Sequence, residues 1–277
     1  MWLIRFERWM KLLKQLRVKP GGPVALGKVD PVQTFGWEKS AVAKQLEQNT
    51  ARLAELQFRL FAESQHSLLI VLQGMDASGK DGTVRHVMSG LNPASCRVQS
   101  FKVPTALEAR HDYLWRIHQV VPPRGEIGIF NRSHYEDVLA VRVQELVPQE
   151  VWKRRYDQIN DFEQLLTENG VTILKFFLHI DKAEQRDRLQ ARLDDPGKNW
   201  KFEQGDLAVR RQWAAYQQAY EDVLSRCSTR WAPWYVVPAN KKWFRNLAVS
   251  EIVRATLEDL HPQFPKPRPG INKIRVV

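Results

Sequence analysis

The stretch Leu68-Leu69-Ile70-Val71-Leu72-Gln73-Gly74-Met75-Asp76-Ala77-Ser78-Gly79-Lys80-Asp81-Gly82-Thr83 decides the fold. It opens with five consecutive apolar residues, the length and character of a strand buried on both faces. A glycine-bounded loop follows, and Thr83 to Met88 then reads as helix. The order strand, G-x-x-x-x-G-K, helix is the context a phosphate-binding loop requires; an ordinary glycine turn is the alternative. Glycines let backbone N–H groups converge on phosphate oxygens, the helix N-terminus adds partial positive charge, and the lysine reaches the phosphoryl group. Gly74, Ala77, Ser78, Gly79, Lys80, Asp81 and Gly82 are therefore the candidate phosphate ligands.

One position departs from the usual loop. Asp81 stands where a Ser or Thr hydroxyl would ligate magnesium, and a second carboxylate, Asp76, lies within the loop. Carboxylates this close to phosphate imply a cation between them, so the loop predicts Mg2+, with Mn2+ as an alternative, held more by carboxylate than usual. Equally, Asp81 reads as a first-turn acid that complements the helix dipole.

Outward from the loop, apolar runs recur at Ile127–Phe130, Val171–Ile180 and Trp234–Val237, with a weaker one at Val98–Val103. Helical patterns flank all but the last of these. Strands alternating with helices predict a parallel α/β sheet. Trp37 to about Gln65 reads as a long helix. Trp2, Phe6, Trp9, Leu13 and Leu16 share one face of another, with five Lys or Arg among the first seventeen residues. That basic amphipathic helix suits packing on the body or on a second subunit; contact with an anionic membrane is the less favoured reading. Lys19-Pro20-Gly21-Gly22-Pro23 breaks it. We expect a basic amphipathic N-terminal helix and linker over 1–36, a P-loop domain over 37–265 with a lid at about 182–211, and a C-terminal tail over 266–277.

Ligands of open α/β sheets bind at the carboxyl ends of the strands. The segment after Ile127–Phe130, Asn131-Arg132-Ser133-His134-Tyr135-Glu136-Asp137, should therefore lie beside the phosphate loop. Arg132 suits bidentate phosphate binding, and Asp137 or Glu136 suits metal. His134 reads as a structural histidine, because a phosphate-oxygen nucleophile needs no general base. Arg188 and Arg192, four apart, project from one helix face ahead of Asp194-Asp195-Pro196-Gly197. They suit a lid that brings arginines onto a polyanion, or else a solvated face with acidic partners.

The chain has 277 residues and a net charge of +11, from 42 Lys and Arg against 31 Asp and Glu. Residues 1–28 hold seven bases and one acid, and residues 241–277 hold eight bases and three acids. The 27 bases and 27 acids of residues 29–240 balance, so anion recognition must come from how charges are arranged. No apolar stretch reaches the 18 or so residues of a membrane span. Two cysteines, Cys96 and Cys227, form no C-x-x-C pair and fit a reducing, cytoplasmic setting.

Five segments taken together are recognisable: the loop at 74–82, Phe101-Lys102-Val103-Pro104-Thr105, Phe130 to Leu139, Trp200-Lys201-Phe202 with Gly205-Asp206-Leu207, and Ala232 to Asn246. Over roughly residues 40–265 the chain resembles the polyphosphate kinase 2 family. The resemblance implies a P-loop kinase fold like that of thymidylate and adenylate kinases, three-layered, with a central parallel sheet and a helical lid. It implies Mg-dependent transfer of the terminal phosphoryl group of inorganic polyphosphate to AMP and ADP. Asp76, Lys80, Arg132 and Asp137 would be catalytic, with Asp76 and Asp137 on the metal. Arg188 and Arg192 would bind polyphosphate, and Lys102, Thr105 and Glu136 the nucleotide. Glu136 matches the subgroup acting on both mono- and diphosphates. Adenine nucleotides are the expected acceptors, guanine nucleotides second, in a homo-oligomer. An ATP-dependent nucleoside monophosphate kinase is the alternative enzyme. A P-loop protein binding nucleic acid is the alternative of another class, disfavoured by the balanced charge of the body and the lack of a recognition motif.

Overall fold

The structure is a computed structural model that describes residues 2–275, with the side chains of 1–8 and 272 outside the description. Helix α1 (Trp2–Leu16) and the long α2 (Lys39–Glu63) precede β1 (Ser67–Gln73). After β1 come α3 (Lys80–Val87), β2 (Cys96–Ser100), the single turn α4 (Trp115–His118) and β3 (Ile127–Asn131). A second single turn, α5 (Ala140–Val143), leads into α6 (Gln149–Glu168) and β4 (Val171–His179). The chain closes with α7 (Lys182–Leu193), α8 (Gln204–Arg211), α9 (Trp213–Arg226), β5 (Trp234–Pro238) and α10 (Lys242–Asp259).

All five strands are parallel, in the order β2-β3-β1-β4-β5. The first strand in sequence is thus the middle one, and Ile70 pairs with Ile129 on one side and Leu174 on the other. Alternation along β1 divides the core in two. Leu68, Ile70 and Leu72 join Leu53, Leu60, Val87, Leu247 and Ile252 from α2, α3 and α10. Leu69 and Val71 join Ile159, Tyr220 and Val223 from α6 and α9. Both faces are covered, which is why the strand reads as an unbroken apolar run. The result is a three-layer P-loop kinase fold, with the strand order reversing beside β1. Its carboxyl end opens into the crevice where α/β sheets bind ligands.

One expectation needs correction. The weak run ends as a strand at Ser100, and Val103 is 89% exposed. As an edge strand, β2 has little apolar cover, and Pro104 cannot continue a ladder. The N-terminal helix, for which packing on the body or on a second subunit is the favoured reading, packs on the body: Trp9, Leu12 and Leu16 lie in the same core cluster as α10, and Trp9 stacks on Trp37 at 4.3 Å. The Val18 amide donates to the Trp234 carbonyl at 2.9 Å, so the chain after α1 runs along the free edge of β5. Trp9, Leu12, Leu13 and Leu16 of α1 are taken up by packing within the chain, while Met10 stays exposed. The expectations for Trp2 and Phe6, and for Val276 and Val277 in the tail, lie outside the described side chains and residues. No helix among the described residues is long and apolar enough to cross a membrane.

Because Trp9 is 5% exposed, Trp9→Ala should cost about 3 kcal/mol. Urea unfolding would show it as a lower midpoint at unchanged slope; a loss within error would mean that α1 is not part of the cooperative core.

Candidate active site

The phosphate loop leaves β1 at Gln73 and makes three left-handed turns, with φ of 150° at Gly74, 63° at Ala77 and 103° at Gly79. Gly79 has a second reason to be glycine: a Cβ there would meet Nη1 of Arg245 at 1.8 Å. Lys80, the first residue of α3, folds back over the loop, its Nζ donating to the Gly74 carbonyl at 2.7 Å and to Met75 at 3.4 Å. Burial, reinforced by Arg132, pushes its pKa down to about 8, against the pull of Asp76, Glu136 and Asp81.

The second motif faces this loop. Arg132, itself in the left-handed region at φ 63°, donates from Nη2 to Oδ1 of Asp76 at 2.8 Å. Asn131 donates to Oδ1 of Asp81 at 2.6 Å, so that carboxylate ties β3 to α3 in addition to sitting in the first helical turn. Asp76 and Glu136 together keep the Arg132 guanidinium firmly charged despite its burial. Arg192 joins from α7 through Asp206 on α8, 3.2 Å away. Burial and the charge of Asp76 raise the Asp206 pKa, with Arg192 opposing. Asp76, Lys80, Asp81, Arg132, Glu136 and Arg192 thus share one crevice.

Three expected residues do other work. Asp137 is turned away from the loop: its Oδ1 accepts from Arg155 at 2.9 Å, and it lines a separate cavity. The 134–137 segment is a 3-10 turn, in which adjacent side chains diverge, so Glu136 and not Asp137 looks toward Lys80. Burial raises the Asp137 pKa even though Arg155 and Arg116 oppose it. Arg188 does not face a polyanion. Its Nε donates to Glu184 at 2.7 Å, Nη1 to the Ala77 and Ser78 carbonyls at 2.9 Å, and Nη2 to Ala239 and Asn240 at 2.6 and 3.0 Å. All five guanidinium donors are engaged, clamping the loop from behind. Thr105 forms a capping box with Glu108, its hydroxyl accepting from the Glu108 amide while its own amide donates to Oε2 at 2.7 Å. The Lys102 side chain is exposed, and its carbonyl accepts from Arg116 at 2.9 Å.

Behind the second motif lies a polar network that the sequence reading missed. Lys175, fully buried in the middle of β4, donates to Glu163 on α6, to Oη of Tyr135 at 2.8 Å and to the Cys227 carbonyl at 2.7 Å. Glu163 also accepts from Tyr135 at 2.8 Å and contacts Nε2 of His134 at 3.1 Å. Burial pushes the Glu163 carboxyl up, but Lys175 and His134 hold it below the usual carboxylate range. The signal was present: one lysine inside an apolar strand run demands a buried partner. His134, 1% exposed, is held in this network and cannot reach a substrate.

The cavity on the far side of the 134–137 turn measures about 490 Å³ and is lined by Pro104, Arg116, Tyr113, Asp137 and Arg155 among others. The rings of His111 and Trp115 stack at its margin, 4.0 Å apart. Among the described residues no three His, Cys, Asp or Glu side chains converge into a metal cage. A crevice with Asp76 as a partly exposed carboxylate suits a hard divalent ion that takes one or two protein oxygens and fills its shell from phosphates and water.

The family profile described as Polyphosphate kinase 2 (PPK2) matches residues 36–265. Over 264 residues the chain is 55% identical to the AMP/ADP-polyphosphate phosphotransferase of Meiothermus ruber, covering 95% of this chain and 99% of that one. It is 46% identical to the ADP-polyphosphate phosphotransferase of Rhodopseudomonas palustris, covering 94% of each. The crystal structure of polyphosphate kinase 2 from Arthrobacter aurescens superposes with a TM-score of 0.90 at 45% identity, again over 94% of both chains.

The buried network holds the second motif in place, and a double-mutant cycle separates that role from stability. Lys175→Met alone should cost about 3 to 5 kcal/mol by stranding Glu163. Adding Glu163→Leu should restore most of the stability and little of kcat; recovery of both together would remove the network from any positioning role.

Proposed function

The chain belongs to the polyphosphate kinase 2 family, and from that premise we propose that it moves the terminal phosphoryl group of inorganic polyphosphate onto AMP and ADP. One observation carries the reading. A phosphate loop centred on Lys80 and faced by Arg132 lies in a chain closely related, end to end, to an AMP/ADP-polyphosphate phosphotransferase.

A terminal phosphate oxygen of the acceptor attacks the end phosphorus of polyphosphate in line. One P–O bond forms, the bridging P–O bond breaks, and the shortened polyphosphate leaves with the electron pair of that bond. The attacking oxygen is already ionised near pH 7, so no general base is needed and catalysis is positioning plus charge neutralisation. Lys80 exchanges its loop carbonyls for a phosphate oxygen, and Arg132, at the end of β3, reaches the group in transfer. Asp76 is the residue that would hold Mg2+, with Asp206 nearby; the ion supplies neutralisation of the clustered phosphate charge. Asp137, engaged by Arg155, is not assigned to it.

We assign the acceptor to the 490 Å³ cavity, a size that suits a small ligand. Pro104 lines its wall, with Thr105 next to it and Lys102 two residues before it in the chain, and Glu136, next to the lining residue Asp137, acts electrostatically on Lys80 of the phosphate loop. The nucleotide pool and the two unpaired cysteines argue for a cytoplasmic enzyme.

Purified protein with AMP, Mg2+ and polyphosphate, and no ATP, should form ADP and then ATP; neither product appearing would sink the reading. A second expectation comes from Lys80, whose charged form binds the donor. Above the pKa of about 8 the free enzyme loses that charge, so kcat/KM for polyphosphate should fall about tenfold per pH unit. A profile that stays level to pH 10 would mean that this ammonium does not control donor binding.

A further inference from the structure

One face of α7 takes three consecutive carbonyls of the phosphate loop, those of Asp76, Ala77 and Ser78. Arg188 serves the last two, and the first accepts at 3.0 Å from Nε2 of Gln185, one helical turn earlier. Gln185 is fully buried, and the transfer step has no use for it. Its orientation is fixed from the other side. Oε1 accepts at 3.1 Å from Nη1 of Arg210 on α8, which also donates to the Lys182 carbonyl. With the amide oxygen held there, the amide nitrogen has to face the loop.

In a trans peptide the C=O and N–H point in opposite directions. Fixing the Asp76 carbonyl toward α7 therefore turns the Ala77 N–H toward the crevice. Among the described residues that N–H has no acceptor, whereas the next one, of Ser78, is spent on the Met75 carbonyl at 3.0 Å. Ala77 keeps this orientation at φ 63°, in the left-handed region that residues with a Cβ rarely adopt. Rotating the 76–77 peptide by half a turn would return Ala77 to a negative φ and withdraw its N–H from the crevice. It would also aim the Asp76 carbonyl at an incoming phosphate. The bond from Gln185 opposes that rotation.

We propose that Gln185 is a positioning residue for the phosphoryl donor: through the Asp76 carbonyl it holds the Ala77 N–H in its anion-binding orientation, and Arg210 of the lid helix holds Gln185. The proposal rests on the polyphosphate-donor reading and adds a dependence to it. Arg210 sets donor affinity through Gln185, without touching the donor.

Calorimetry of tripolyphosphate with Mg2+ and no nucleotide reads donor binding in the full-length protein, apart from turnover. Gln185→Met, which fills the same space without the amide, should raise Kd roughly five- to tenfold. Adding Ala77→Gly should recover most of that loss, because glycine holds a positive φ without steric cost. General damage to the loop predicts the opposite, since a further glycine loosens it. Arg210→Met, at a half-buried side chain, should raise Kd about two- to threefold in the wild-type background and not at all in Gln185→Met. The same order should appear in KM for polyphosphate, while KM for AMP moves less than about twofold. Unchanged binding in Gln185→Met, no recovery with Ala77→Gly, or additive losses with Arg210→Met would each overturn the positioning role. A wild-type protein that binds no tripolyphosphate overturns both readings; one that binds it but makes no product counts against the donor reading alone.

Discussion

A loop that turns its amide N–H groups toward an anion must turn carbonyls the other way, and every buried carbonyl needs a donor. Much of this molecule is arranged around that requirement. The carbonyls of Ala77 and Ser78 accept from one guanidinium, Arg188, which also takes those of Ala239 and Asn240. The phosphate loop, α7 and the β5 to α10 connection are thereby fastened at a single point. A lysine could not replace this arginine, since an ammonium offers three donors without the planar fork that serves two carbonyl pairs. The helix carrying Arg188 also carries Arg192 on the crevice side, so the same element fixes both guanidinium groups relative to the loop.

The second motif is held by a different principle. Arg132 sits at a positive φ, a strained position for a non-glycine residue that must be over-determined by its surroundings. The surroundings are the Lys175, Glu163, Tyr135 and His134 network two residues downstream, which crosses from β4 to α6 and leaves the turn little freedom. Buried ion pairs of this sort add little net stability compared with an apolar core. What they add here is orientation: they place Glu136 toward the phosphate loop and Asp137 toward the cavity.

The sheet was legible because burial on both faces leaves an unmistakable mark, unbroken apolar runs at Leu68–Leu72 and Val171–Ile180. The loop was legible because phosphate binding restricts both spacing and residue type. The side chains that the sequence misassigned share a physical cause. Asp137 and Arg188 were placed by residue type and by chain neighbourhood, yet a 3-10 turn and a set of backbone carbonyls determined where they point. Val103 was miscounted as strand because periodicity does not reveal that β2 lies at the edge of the sheet. Arg245 was invisible for a related reason: its partner is a missing Cβ on Gly79, and an absence of atoms has no signature of its own along the chain.

The +11 of the whole chain is therefore a poor guide to how it handles a polyanion. Near the reacting centre, cations come paired, Arg132 with Asp76 and Arg192 with Asp206, so an incoming phosphate must compete with carboxylates for the same guanidinium groups. That competition is weakest if a divalent cation takes the carboxylates as the phosphates take the arginines, an exchange of partners with little net charge left unpaired at any stage. On the outer side of the loop the pairing is incomplete, and Arg245 has no carboxylate among its hydrogen-bond partners. Matched charge at the centre gives a site that reorganises around metal and phosphate together.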